Sequence, residues 1–244
     1  MSIVFESVSF SYPDGNSVLH GCSFKIPGGC FLLIGGQNGA GKSTLLRLMN
    51  GLNRPQSGRI LINGVDTGNQ EPSQLASSVA VTFQHPADQI FASEVLKEAI
   101  FGAKNLKREN PGALAAEALD LFGLGPCASM HPYDLSPALR RLLTMASAAA
   151  TGSPVLAFDE PTIGLSQPER STLRLALEFL HRNGRSLIIV SHDVEFFFPL
   201  CESMMVIANG GIAFHGSVAE IENRQSVLES AGIGLPLSLR LQRM

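Results

Sequence analysis

The sequence predicts an α/β fold with a mostly parallel core sheet, and three stretches carry that reading. Phe31 to Ile34 is an apolar strand pattern that runs into Gly36-Gln37-Asn38-Gly39-Ala40-Gly41-Lys42-Ser43-Thr44, and helical spacing follows from Thr44 to Met49. Val155-Leu156-Ala157-Phe158 is a short apolar run ending in Asp159-Glu160, and Leu187 to Val190 is another ending in Ser191-His192. Strands apolar at every position are buried on both faces. Alternating with helical segments, they imply parallel strands joined by crossovers.

Taken in order, Ile3 to Phe10 and Val18 to Ile26 alternate as strands do, separated by the turn cluster Pro13-Asp14-Gly15-Asn16. Gly51 is placed to end the helix that follows the glycine-rich loop. Arg59 to Ile62 reads as a strand closed by Asn63-Gly64, and Val79 to Phe83 as another. From His85 to Thr151 the pattern changes: Glu94 to Phe101 and Ala113 to Phe122 have helical spacing, and Leu139 to Ala150 is an alanine-rich helical run. Glu169 to His181 is a further helix, closed by Asn183-Gly184. The expected organisation is a single domain. Residues 1–84 and 152–216 form the core with its N-terminal β part, 85–151 are a helical insertion, and 217–244 are a helical tail.

Composition narrows the function classes. A chain of 244 residues can bury a substantial core. A net charge of −3 and a pI near 6.1 give no electrostatic footprint for nucleic acid. Cys22, Cys30, Cys127 and Cys201 lack metal-ligand spacing. The N-terminus has no basic and apolar leader pattern, and runs such as Met204 to Ala208 are too short to span a bilayer. A cytoplasmic protein is expected, with any membrane role supplied by a partner.

The Gly36 to Thr44 stretch fits the phosphate-binding loop pattern, flanked by the strand and helix that pattern requires. Its glycines let backbone amides converge on an anion, and the helix adds its positive end. Lys42 is expected on the β- and γ-phosphates and the Ser43 hydroxyl on Mg2+. Asp159 is expected to hold Mg2+ through water, and Glu160 to position or deprotonate the attacking water. His192 leaves the next buried strand where it can touch the γ-phosphate. The residues alone also allow a solvated acidic turn at 159–160 and a surface histidine at 192.

With these motifs in place, the whole chain resembles the nucleotide-binding subunits of ATP-binding cassette (ABC) transporters. The resemblance implies the phosphate-loop ABC ATPase fold, with an antiparallel N-terminal β subdomain and an inserted helical subdomain. It places Tyr12, in Phe10-Ser11-Tyr12, on the adenine, although an ordinary strand tyrosine is an alternative. It places Gln84 on Mg2+ and the attacking water, makes His192 the switch histidine, and makes Pro161 to Ser166 the D-loop, with Ser166 where the family usually has Asp. Phe83-Gln84-His85-Pro86-Ala87-Asp88-Gln89-Ile90-Phe91-Ala92 is similar to the corresponding run of energy-coupling factor ATPases, which drive uptake of vitamins and transition-metal ions. A helix-entry loop with buried apolar side chains is the plainer reading of 88–92. Val227 to Pro236 also resembles the C-terminal region of those subunits. The implied ligands are ATP and Mg2+. The implied partners are a second ATPase subunit and an integral-membrane protein, at the cytoplasmic face of the membrane, with no nucleic acid.

One motif departs from the family. Its signature, L-S-G-G-Q, meets the γ-phosphate held by the other subunit; here Leu135-Ser136-Pro137-Ala138-Leu139 stands in its place. Ser136 as N-cap and Pro137 at the first helical position make a good helix start. Pro137 has no amide hydrogen, Ala138 adds a methyl, and the Leu139 side chain cannot donate. The expectation is a heterodimer with one competent and one degenerate site, with a homodimer carrying two weakened sites as the alternative. A soluble non-transport ABC ATPase and a weakly hydrolysing nucleotide-dependent scaffold are the alternatives.

Overall fold

A computed structural model describes residues 1–234; Leu235 and Pro236 of the tail motif, with the rest of 235–244, lie outside the described residues. The strands are β1 (Ile3–Ser11), β2 (Ser17–Ile26), β3 (Phe31–Gly36), β4 (Ser57–Ile62), β5 (Val65–Asp66), β6 (Val79–Thr82), β7 (Val155–Asp159), β8 (Ser186–Val190), β9 (Ser203–Ala208) and β10 (Gly211–Ser217). The α-helices are α1 (Lys42–Met49), α2 (Pro72–Leu75), α3 (Val95–Asn105), α4 (Pro111–Leu121), α5 (Pro137–Ala150), α6 (Gln167–Arg182), α7 (Val194–Phe197), α8 (Val218–Glu222) and α9 (Gln225–Ser230).

Two sheets form. An antiparallel one has the order β2-β1-β4-β5, and a larger one the order β10-β9-β3-β8-β7-β6. In the larger sheet β3, β6, β7, β8 and β9 run parallel and β10 closes one edge antiparallel to β9. The period-2 rule explains why its strands are apolar throughout. Phe31, Leu33, Leu156, Phe158, Leu187 and Ile189 pack toward α3–α6, whereas Leu32, Ile34, Val155, Ala157, Ile188 and Val190 pack toward α1 and the antiparallel sheet. Deleting the fully buried Phe158 ring would cost about 3–5 kcal/mol by the large-to-small rule.

The helices α4, α5 and α6 start earlier than apolar spacing indicates, because caps and first-turn prolines begin them, whereas α3 starts at Val95, one residue after the expected Glu94. Asn110 precedes Pro111, and Ser136, its hydroxyl accepting from the Leu139 amide, precedes Pro137. Ser166 makes a capping box with Glu169 ahead of α6. Three strands, β5, β9 and β10, were not expected from the sequence. Met204 to Ala208, which had no assigned element, hydrogen-bonds beside the phosphate-loop strand, with Gly36 opposite Ile207. No helix among the described residues is long and apolar enough to cross a membrane.

Candidate active site

Parallel pairing puts the C-terminal ends of β3, β8, β7 and β6 along one edge. Ile34 is in register with Val190, Asp159 with Val190, and Thr82 with Phe158. The residues that follow each strand therefore converge, as ligand sites of open parallel sheets do. A cavity of about 470 Å³ opens there, lined by Tyr12, Lys42, Ser43, Gln84, Asp159, Glu160 and His192 among others.

The loop after β3 turns on Gly39 and Gly41, both at positive φ (80° and 102°), and Gly41 caps α1. A Cβ on Gly41 would sit 2.9 Å from Leu19 Cδ2 and 3.0 Å from Val18 Cγ1, so the turn needs glycine for space as well as conformation. Lys42 is buried and donates from Nζ to the carbonyls of Gly36 (2.7 Å) and Gln37 (2.9 Å). Burial lowers its pKa, opposed by the charges of Glu160 and Asp159. The ammonium thus sits between two backbone oxygens. Tyr12 presents its hydroxyl 3.0 Å from Thr44 Oγ1 and packs edge-on against Phe10 at 5.0 Å. Its ring is pinned to the first turn of α1 at the cavity wall. Gln37 and Ala40 do not line this cavity; they face a second recess of about 370 Å³ on the other side of the loop. Gly36 lies in β3, where its carbonyl receives Lys42.

Asp159 ends β7 almost fully buried, and burial raises its pKa against the lowering effect of a hydrogen bond from the Ser43 hydroxyl. Two hard oxygen donors in mutual contact, one of them a carboxylate, fit a divalent cation of the Mg2+ kind. Glu160 follows at φ +50°, a left-handed conformation that costs a non-glycine residue about 1–3 kcal/mol and gathers at functional sites. The conformation is held from several sides. The Glu160 amide donates to Val190 O (2.8 Å), its carboxylate accepts from Ser191 Oγ (3.1 Å), and its Oε1 lies 2.9 Å from His192 Nδ1. The Glu160 side chain is 9% exposed and that of His192 68%, so the imidazole reaches from solvent onto a buried carboxylate.

Gln84 lines the cavity just beyond β6. The loop it belongs to is shaped by Gln89, whose Oε1 accepts from the Phe83 amide (2.9 Å) while its Nε2 donates to Val81 O (3.4 Å). Sequence reasoning did not single out this internal staple, nor Ser191, Asn16, Val18, Ile163 or Arg141 around the site. Ser191 had a signal, as the polar residue between a buried strand and His192. Ser136, Pro137, Ala138 and Leu139 lie outside the cavity. Ser136 and Pro137 are exposed, and Pro137 borders a separate cleft with Arg140, Arg141, Pro86 and Ile163.

Fold and site together define a phosphate-loop nucleotide-binding protein. Residues 19–163 match the ABC transporter family model. An energy-coupling factor transporter ATP-binding protein, EcfA, of Methanosphaera stadtmanae is 33% identical over 95% of this chain and 84% of its own length. A putative ABC transporter ATP-binding protein of Methanosarcina acetivorans is 33% identical over 98% of this chain, which spans 39% of that relative's length. Among solved structures, CbiO1 from Clostridium perfringens, part of the ABC transporter complex CbiONQ, superposes with a TM-score of 0.81 at 28% identity, covering 99% of this chain and 98% of that one. The chain belongs to the ABC transporter ATP-binding family.

Proposed function

We propose that the chain is the ATP-binding and hydrolysing subunit of a membrane importer of the energy-coupling factor kind, which takes up a vitamin or a transition-metal ion. One observation carries the reading: Lys42, Ser43, Gln84, Asp159, Glu160 and His192 line a single cavity at the ends of adjacent parallel strands. In this reading the loop amides and Lys42 grip the β- and γ-phosphates, and Lys42 leaves the Gly36 and Gln37 carbonyls to do so. Ser43 and Gln84, with Asp159 through water, would hold Mg2+, which would supply positive charge against the phosphate oxygens. Glu160 accepts the proton of the attacking water, an effect worth about 10²–10⁴-fold in rate. His192, braced on Glu160, reaches the γ-phosphate, and Tyr12 offers its ring to the adenine.

The importer reading draws support from the energy-coupling factor relative and from the Phe83 to Ala92 run. Closure on a second ATPase subunit would bring a signature from outside, since Ser136 to Leu139 lie away from this chain's own cavity. A heterodimer fits best: this chain's intact site takes the partner's signature, and its own altered signature faces the partner's nucleotide. The complex would sit at the cytoplasmic face of the membrane. A nucleotide-dependent scaffold is the second reading, favoured by the missing amide hydrogen at Pro137.

ATP turnover of the full chain, alone and after co-expression with candidate partner subunits, tests the proposal. Slow turnover alone, brisk turnover in a complex that co-purifies with an integral-membrane protein, and loss of both in Glu160→Gln are expected. Brisk cooperative turnover by the chain alone would refute the heterodimer. A complex that orders on ATP yet hydrolyses no faster than Glu160→Gln would favour the scaffold.

A further inference from the structure

We propose that Arg141 is a positioning residue for Glu160, the contact through which helix α5 sets the orientation of that carboxylate. The inference rests on the reading of Glu160 as the residue that handles the attacking water. Three contacts on Glu160 come from one segment, Val190 to His192, which follows the parallel sheet. Two more meet its carbonyl: the Ile163 amide donates at 3.4 Å from within the same turn, and Arg141 Nη1 donates at 3.2 Å from another helix. Arg141 lies in α5, whose first turn is the altered signature, so α5 touches the Glu160 peptide in its own subunit while its start faces outward.

The geometry makes that contact consequential. Glu160 is at φ +50°, so the peptides on either side of it are fixed by neighbours and not by intrinsic preference. The acceptor on its amide fixes the peptide before Glu160, and the donors on its carbonyl, Arg141 and the Ile163 amide, fix the peptide after it. The Arg141 guanidinium, half-buried, also interacts electrostatically with both Glu160 and Asp159. Lys42 and Arg141 thus face Asp159 and Glu160 as two cations against two carboxylates. Any shift of α5 relative to the sheet would move this donor and with it the Glu160 peptide.

A positioning role predicts a particular kinetic pattern. Arg141→Gln should lower kcat about tenfold or more while KM and the ATP dissociation constant stay within about threefold, because the contact is to Glu160 and not to the nucleotide. Arg141→Lys keeps the charge but not the planar fork, and should recover part of the rate. In a Glu160→Gln background, read by single-turnover hydrolysis, Arg141→Gln should change the residual rate less than about twofold, since residues acting through one another are not additive. Melting temperatures of all variants are measured alongside; should the glutamine variant not fold, Arg141→Lys carries the same comparison in both backgrounds. Wild-type kcat in the folded Arg141 variants overturns the inference and leaves the site reading intact. So does an equal further loss with or without Glu160. Wild-type turnover in Glu160→Gln alone overturns both the site reading and the inference.

Discussion

Replacement of Pro137 probes the altered signature directly, and the structure sets the size of the effect. In the first turn of α5 the Leu139 amide is taken by Ser136 Oγ at 3.2 Å and the Arg140 amide by Ser136 O at 2.9 Å. Pro137 has no amide hydrogen. The Ala138 amide is therefore the one donor of that turn, among the described residues, left for a phosphate from outside. Pro137→Ala adds a second donor without disturbing the Ser136 cap. A hydrogen bond to a charged acceptor is worth about 1.5–3 kcal/mol, so turnover should rise roughly ten- to a hundred-fold. Losing a proline at this position loosens the unfolded chain, at a cost of about 0.4–1 kcal/mol. That should lower Tm by roughly 1–4 °C for a domain of this size. The assay is steady-state ATP hydrolysis by the purified full chain, alone over a concentration series and in complex with its partner ATPase subunit, with calorimetry on the same samples. A faster but slightly less stable protein is expected. Turnover within about twofold of the parent, together with the expected fall in Tm, would show that the start of α5 does not meet a nucleotide.

Three further outcomes test other links. Gly36→Ala should destabilise the protein by about 1–3 kcal/mol in calorimetry, since overpacking costs that much, and the new Cβ would lie 2.4 Å from Ile207 O of β9. Lys42→Ala should weaken ATP binding by roughly 100-fold or more in equilibrium dialysis, because the charge-assisted contacts proposed between its ammonium and the β- and γ-phosphates are lost. His215, half-buried in β10 with its ring 6.1 Å from Phe24, has its pKa lowered by burial. In the window between that lowered value and the ordinary one near 6.5, the unfolded chain binds a proton that the folded chain does not. Stability should therefore be fully present above the ordinary value and fall as pH drops through the window. Urea titrations across acid pH should show this slope, and His215→Gln should remove it.

The elements legible in the sequence were those whose evidence is local. The phosphate loop announces itself through glycines and a lysine in one short run, and buried strands such as Val155 to Asp159 through continuous apolarity. Proline and serine caps fix α5 and α6 within a residue or two once they are given weight beside apolar spacing. Ser203 to Ala208 failed that test, because a short apolar run has no period to separate strand from buried helix. Its identity as β9 comes from hydrogen bonds to β3, far away in the chain.

The candidate site divides in the same way. Lys42, Ser43, Asp159, Glu160 and His192 could be named from residue type and the strand that each follows. That Lys42 turns back onto Gly36 and Gln37, that Tyr12 is tied to Thr44, and that Gln89 staples the loop bearing Gln84 are contacts of side-chain direction, which sequence spacing does not encode.

By itself, then, the sequence determined the class of fold and the chemistry of the loop, because periodicity and glycine placement act over a few residues. Tertiary structure alone decided which groups meet. Glu160 finds Ser191 and His192 across positions 31 and 32 apart because β7 and β8 pair in parallel register. It finds Arg141 because α5 packs against β6 and β7. Parallel pairing aligns strand ends whatever the length of chain between them, and that geometric fact turns scattered residues into one site.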